Sequence, residues 1–283
     1  MAEIGVMAQP LADFASGDLP KRIGSALILA PLVLLLVYAG PPLFSGLVLA
    51  VAFIMTLEWA RLCGADTVPM AKAGLGISVI LAVVLAVLGM FGSGLVVVAL
   101  GAGAVWFATA AHDNHGRARW IAGGIVYITL PCMALIWLRG DTAAGRDAIF
   151  WLLAVVWGMD VGAFVVGKTV GGPKLAPNIS PKKTWSGLCG GAICSALAGT
   201  AVLGLLNGDS GQATALAGAA AALGVLSQGG DLFESAVKRH FNVKDSGMLI
   251  PGHGGLLDRV DGLLAAAVIL AAYGLVRGGD LAW

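Results

Sequence analysis

The chain has 283 residues, of which 58% are hydrophobic and only 12% charged, with a formal net charge of +1. Soluble domains carry about 25% charged residues, so this composition excludes an ordinary water-soluble protein. The near-zero net charge excludes a nucleic-acid binder, which needs a concentrated basic face to displace counterions.

Residues 1–20 place Glu3, Asp13 and Asp18 ahead of any basic residue, and no small-residue cleavage site follows a short apolar core. Residues 1–22 therefore read as a cytoplasmic leader and not as a secretory signal. Nine apolar runs follow, at 23–39, 43–60, 73–91, 94–111, 121–138, 148–167, 187–206, 213–230 and 260–277. Most approach the ~20 residues that cross ~30 Å of hydrocarbon as helix. Lys21 and Arg22 precede the first run, which sets the amino terminus in the cytoplasm. With nine crossings, fourteen of the seventeen basic residues fall on the inner side, and only Arg139, Arg146 and Arg277 fall outside.

The expected fold is thus an all-α polytopic membrane protein of about nine transmembrane helices, with a cytoplasmic N-terminus and an extracytoplasmic C-terminus. Residues 23–147 are expected to form an N-terminal helical region, and 148–283 a C-terminal region with cytoplasmic loops 168–186 and 231–259. No polar stretch is long enough to build a separate core, so chemistry must sit on loops and helix ends. Cys63, Cys132, Cys189 and Cys194 lie in or beside apolar runs without a CxxC pair, the pattern of membrane-buried hydrophobes. Gly158/Gly162, Gly167/Gly171 and Gly187/Gly191 show the four-residue spacing that lets helices approach closely, although 42 glycines also produce such pairs by chance.

Asp160 stands inside the sixth run, where a charge costs about 2.5–3.5 kcal/mol and needs a partner or water. A helix–helix hydrogen bond and a functional role both answer that need. The loop after it, GKTVGGPKLAPNISPKKTWSG, carries Lys168, Lys174, Lys182 and Lys183 among glycines and prolines. Gly171 and Gly172 would let backbone amides approach an anion, and Ser180 to Thr184 stand at the entrance of the next helix, whose dipole favours negative charge. An anchor for anionic headgroups explains the same lysines. The glycine-lysine-Ser/Thr ending of a Walker A loop is absent.

The richest stretch is Ser227 to Asp261, SQGGDLFESAVKRHFNVKDSGMLIPGHGGLLDRVD. Asp231 and Glu234 share helical i, i+3 spacing on the cytoplasmic end of the eighth run, and Asp258 and Asp261 repeat it at the start of the ninth. Four acids so placed repel unless something positive sits among them, and hard oxygen ligands beside phosphates describe a magnesium site. Lys238, Arg239, Lys244 and Arg259 can hold further phosphate charge. Gly252, Gly254 and Gly255 around His253 imply a tight turn. His253 can donate to a phosphate, act as an acid, or fix the turn by hydrogen bonds.

These residues resemble the phosphatidate cytidylyltransferases, or CDP-diacylglycerol synthases. The resemblance rests on Ser235, Lys238-Arg239, Lys244-Asp245, Gly247, Pro251, His253-Gly254-Gly255 and Asp258-Arg259-Val260-Asp261. It extends back through Asp160-Val161-Gly162-Ala163-Phe164 and Ser180-Pro181-Lys182-Lys183-Thr184-Trp185, while the first half is similar only as a stack of spans. Ser186 and Gly262 stand where that family commonly has Glu and Ser.

The resemblance implies that CTP and phosphatidate give CDP-diacylglycerol and pyrophosphate, with Mg2+ as cofactor and a second cation as an open alternative. It implies metal roles for Asp231, Asp258 and Asp261, with Glu234 and Asp160 as weaker candidates. Lys238, Arg239, Lys244 and Arg259 are assigned to the triphosphate or the lipid phosphate, and Ser180, Lys182, Lys183 and Thr184 to a second phosphate contact. Ser235, Asp245, Gly254 and Gly255 complete the substrate-binding set, and His253 the catalytic one. The likeness implies a homodimer, among membrane lipids; the basic-residue asymmetry sets the active site at the cytoplasmic face, and no stretch resembling an organelle presequence is present, which points to a bacterial inner membrane. A lipid or polyprenol kinase, or a cytidylyltransferase for another lipid, would use similar acids and lysines. A transporter would instead place its charges at the midplane.

Overall fold

A computed structural model describes residues 19–111, 115–207, 213–247 and 254–279. Among them are nine α-helices: α1 Leu19–Ala39, α2 Pro41–Leu62, α3 Pro69–Val87, α4 Phe91–Ala110, α5 His115–Arg139, α6 Ala143–Thr169, α7 Trp185–Asn207, α8 Ala213–His240 and α9 Leu257–Val276. Eight of these, α2 to α9, are long and apolar enough to cross a membrane. In α1 the apolar part is Leu27–Ala39. Proline opens α2 and α3 at the first helical position, where its missing N–H is no loss.

The helices pack in two groups. α2 to α5 contact one another, as do α6 to α8; α9 packs on α8, α5 and α6 and so joins the groups. Trp59, Met55, Leu75, Ile121, Ile125 and Ile128 fill the interior of the first group, all fully buried. Large apolar residues such as Leu100, Phe107, Phe164, Leu197 and Val276 remain on the outside. A lipid-facing surface requires that arrangement, since hydrocarbon is no worse a neighbour for Leu than protein is.

Without a hydrophobic drive between helices, close contact depends on small residues. α6 and α7 supply them. A methyl built on Gly162 would lie 2.6 Å from Cys194 Sγ, and one on Gly191 would lie 2.8 Å from the Met159 carbonyl. The pairs Gly158/Gly162 and Gly187/Gly191 therefore pack the α6–α7 seam. Gly171 does not share that role: its φ is +65° and a methyl built on it would meet nothing within 4 Å, so it is a turn residue.

The loop after α6 departs from the all-helical expectation. Lys174–Ala176 (β1) and Ser180–Thr184 (β2) form a two-stranded antiparallel hairpin, with Lys174 opposite Thr184 and Ala176 opposite Ser180. Thr184 then caps α7, its hydroxyl oxygen accepting the Gly187 N–H at 3.1 Å. Ser186 donates to the Gly171 carbonyl, so this residue, a departure from the family pattern, ties the turn to the hairpin's end.

Candidate active site

α8 and α9 are antiparallel neighbours, so their i, i+3 acid pairs meet in reverse order. Glu234 lies beside Asp258, and Asp231 beside Asp261. One turn beyond Glu234, the Lys238 ammonium stands 2.6 Å from both Glu234 Oε2 and Asp258 Oδ1. Asp258 is engaged on its other side as well, Oδ2 accepting the N–H of Ser246 at 3.1 Å and of Gly255 at 2.9 Å. A carboxylate at a helix N-terminus satisfies free amides and faces the positive end of the dipole.

The second acid group gathers around Asp231. Lys183, from β2, forms an ion pair with it, and Ser235 Oγ donates to its Oδ1 at 3.3 Å. Asp261 and Asp160 both feel the Asp231 charge, and Asp160 also faces Lys183 and Arg259. Asp160 Oδ1 accepts a 3.4 Å hydrogen bond from Gln228 Nε2, while Asp261 Oδ1 accepts the Gly262 N–H at 2.7 Å. The four acids expected to act as one set are thus sorted into two. Glu234 and Asp258 hold Lys238; Asp160, Asp231 and Asp261 repel one another with Lys183 alongside.

Other sequence-predicted residues fall around this centre. Of the hairpin residues only Lys183 reaches the acids, because side chains alternate along a strand: Lys182 is exposed and Thr184 is buried at the cap. Ser180 takes its place in the hairpin pairing. Arg239 Nε donates to the Ile179 carbonyl at 3.4 Å, linking α8 to the hairpin turn. Lys244, Asp245 and Arg259 are exposed beside the site. Gly254 has a φ of +85°, and a methyl there would stand 3.1 Å from Asp258 Oδ2. His253, with Pro251 and Gly252, lies outside the described residues.

Three residues join the site that the sequence reading did not single out. Glu58 on α2 is 3% exposed and reaches the segment before α9. Gln228 meets Asp160, as described. Tyr127 on α5 stands between Trp59 and Phe233, with ring centroids 5.0 and 5.2 Å away. Its buried hydroxyl has no hydrogen-bond partner among the described residues and lies in the field of Asp261, Glu234, Asp231 and Asp258. A polar residue within an apolar run is the signal that would have found Glu58 and Gln228; only packing reveals Tyr127.

Among the described residues no three His, Cys, Asp or Glu side chains form a group able to hold a metal ion by themselves. Magnesium commonly binds through one or two carboxylates and completes its shell with waters and substrate phosphates. The mutually repelling carboxylates of Asp160, Asp231 and Asp261 are hard oxygen donors of that kind, so the donor set fits a magnesium ion shared with a polyphosphate.

Residues 20–276 match the cytidylyltransferase family. The chain is 38% identical over 260 residues to phosphatidate cytidylyltransferases of Brucella suis and Brucella melitensis, covering 92% of this chain and 94% of each relative. It is 37% identical over 181 residues to one from Rickettsia bellii, covering 62% of this chain and 76% of that protein. Because the family match runs from α1 through α9, it takes in both helix groups and the acidic site on α6, α8 and α9: the chain belongs to the cytidylyltransferase family and is a nucleotidyltransferase.

Proposed function

We propose that the chain transfers the cytidylyl group of CTP to phosphatidate, giving CDP-diacylglycerol and pyrophosphate. Two features support this reading: the relatives of nearly full length carry that name, and two lysines from separate elements, Lys183 and Lys238, meet carboxylates at one end of the helix bundle. The second is the observation that carries it. A polyphosphate entering there exchanges acid–lysine pairs for phosphate–lysine pairs, so the ammonium groups are already in place when substrate arrives.

An oxygen of the lipid phosphate attacks the α-phosphorus of CTP; the bond to the β-phosphate oxygen breaks, and pyrophosphate leaves. A phosphate monoester has a second pKa near 6, so the nucleophile is largely ionised at neutral pH and needs no strong base. The remaining barrier is the approach of two anions and the charge on the leaving group. Lys238, bridging α8 and α9, and Lys183, on the hairpin, neutralise that charge. Arg239, Lys244 and Arg259 surround the entrance and hold the outer phosphates. Asp231 and Asp261, with Asp160 beside them and Asp258 one turn away, would hold magnesium, which when bound offsets phosphate charge as a Lewis acid. His253 remains a candidate donor to a phosphate oxygen.

The end of the bundle bearing these groups is the cytoplasmic one in our reading, consistent with the basic-residue asymmetry and with CTP arriving from that side. The lipid enters sideways from a bacterial inner membrane. The test is release of pyrophosphate from CTP by protein purified in detergent, with and without phosphatidate and magnesium, alongside Asp258→Asn. Release that needs both additions and disappears in the variant is expected. No release from folded protein, or release indifferent to Asp258, overturns the assignment; a nucleoside diphosphate product instead marks a lipid kinase.

A further inference from the structure

Glu58 lies near the end of α2, in the half of the chain whose sequence carries none of the family's motif residues. Its carboxylate crosses to the other half: Oε1 accepts the Leu256 N–H at 2.8 Å, and Oε2 accepts the Leu257 N–H at 2.8 Å and the Ser246 hydroxyl at 3.4 Å. Leu256 and Leu257 form the start of α9, whose first amides have no partners within the helix. No side chain of α9's own N-cap residue fills that need. Glu58 supplies it from 198 and 199 residues away, and a buried carboxylate at the positive end of a helix dipole is itself stabilised there.

The same carboxylate accounts for Gly247 and helps enclose Gly255. A methyl on Gly247 would lie 2.7 Å from Glu58 Oε1, 3.1 Å from its Cδ and 3.2 Å from its Cγ, its three nearest atoms. A methyl on Gly255 would meet Ser246 Oγ at 2.0 Å and the Gly247 nitrogen at 2.8 Å, with Glu58 Oε2 behind them at 2.9 Å. Ser246 and Gly255, whose amides hold Asp258, are thus packed directly against Glu58.

We propose that Glu58 is a positioning residue: it fixes the 244–247 segment and the first turn of α9, and thereby sets Asp258 against Lys238. This rests on the cytidylyltransferase reading above, and the experiment separates the two. The variants are Glu58→Gln, which keeps the size but replaces one acceptor by a donor, Glu58→Ala, Gly247→Ala and the double variant Glu58→Ala/Gly247→Ala. Each is assayed for kcat, KM for CTP and half-saturating magnesium, and for trypsin cleavage after Lys244 without any substrate.

Losing one charge-assisted hydrogen bond reduces kcat about tenfold or more in Glu58→Gln, with half-saturating magnesium raised several-fold. Trypsin cleaves after Lys244 at least about fivefold faster, because local opening controls proteolysis. Gly247→Ala behaves like Glu58→Ala, and the double variant is no worse than Glu58→Ala alone, since the clash needs both groups. If Glu58→Ala does not fold, the isosteric Gln variant decides. Wild-type kcat and trypsin pattern in Glu58→Gln, or losses that multiply in the double variant, overturn the proposal. A role in folding alone lowers the active fraction and leaves half-saturating magnesium unchanged, and that result also overturns it. Wild-type protein that releases no pyrophosphate defeats the functional reading, and the trypsin comparison then still decides whether Glu58 clamps the segment.

Discussion

At the scale of single residues, the site works by shared charge. Lys238 touches Glu234 and Asp258 at 2.6 Å each, so it offsets two carboxylates at once. Lys183 pairs with the single carboxylate of Asp231 from a different element. Removing one partner of a buried pair leaves the other uncompensated, and removing a preorganised cation from a phosphoryl-transfer site lowers kcat by about 10²-fold. Lys183→Ala is therefore expected to lose activity on that order in the pyrophosphate assay, while Lys182→Ala, whose side chain is exposed, stays within about threefold. Equal losses in the two variants contradict the assignment of Lys183 as the hairpin's contribution. Both lysines were visible in the sequence as one basic pair. Only the strand, with its alternating faces, distinguishes them.

At the scale of elements, two devices position that chemistry. The first is the cap on α7. Thr184→Ala deprives the Gly187 N–H of its acceptor and should destabilise the protein by about 1 kcal/mol, whereas Thr184→Ser should retain most of the stability. Thermal unfolding in detergent measures the difference; equal melting of the two variants would show that the cap contributes nothing. The second is the glycine seam between α6 and α7. Gly162→Val forces Cβ into Cys194 and into the Gly190 carbonyl, 2.9 Å away. Overpacking of this kind costs about 1–3 kcal/mol, and it also moves Asp160, two residues before the glycine. A variant that melts as wild type would mean the seam is looser than its contacts indicate. The glycine spacing was legible in the chain, but so were pairs such as Gly167/Gly171, and spacing alone could not separate packing glycines from a turn glycine.

At the scale of the molecule, α9 joins an N-terminal group of helices to a C-terminal one, and the acids and lysines collect at one end of that junction. The proposed orientation, with the amino terminus in the cytoplasm and nine crossings, predicts that the end of α9 lies outside. Alkaline phosphatase fused after Gly279 should be active, and fused after Asn242 it should be inactive; the reverse pattern would overturn the orientation. The membrane fold, the number of helices and the family followed from composition, the 20-residue apolar runs and the acid, lysine and glycine pattern, because these are local properties of the chain. Which acid faces which lysine was settled only by tertiary structure. Antiparallel packing pairs Glu234 with Asp258 across α8 and α9, hairpin geometry selects Lys183 over Lys182, and Glu58 reaches the start of α9 from 198 residues away. Such contacts join residues far apart in sequence, and no periodicity within either segment encodes its partner.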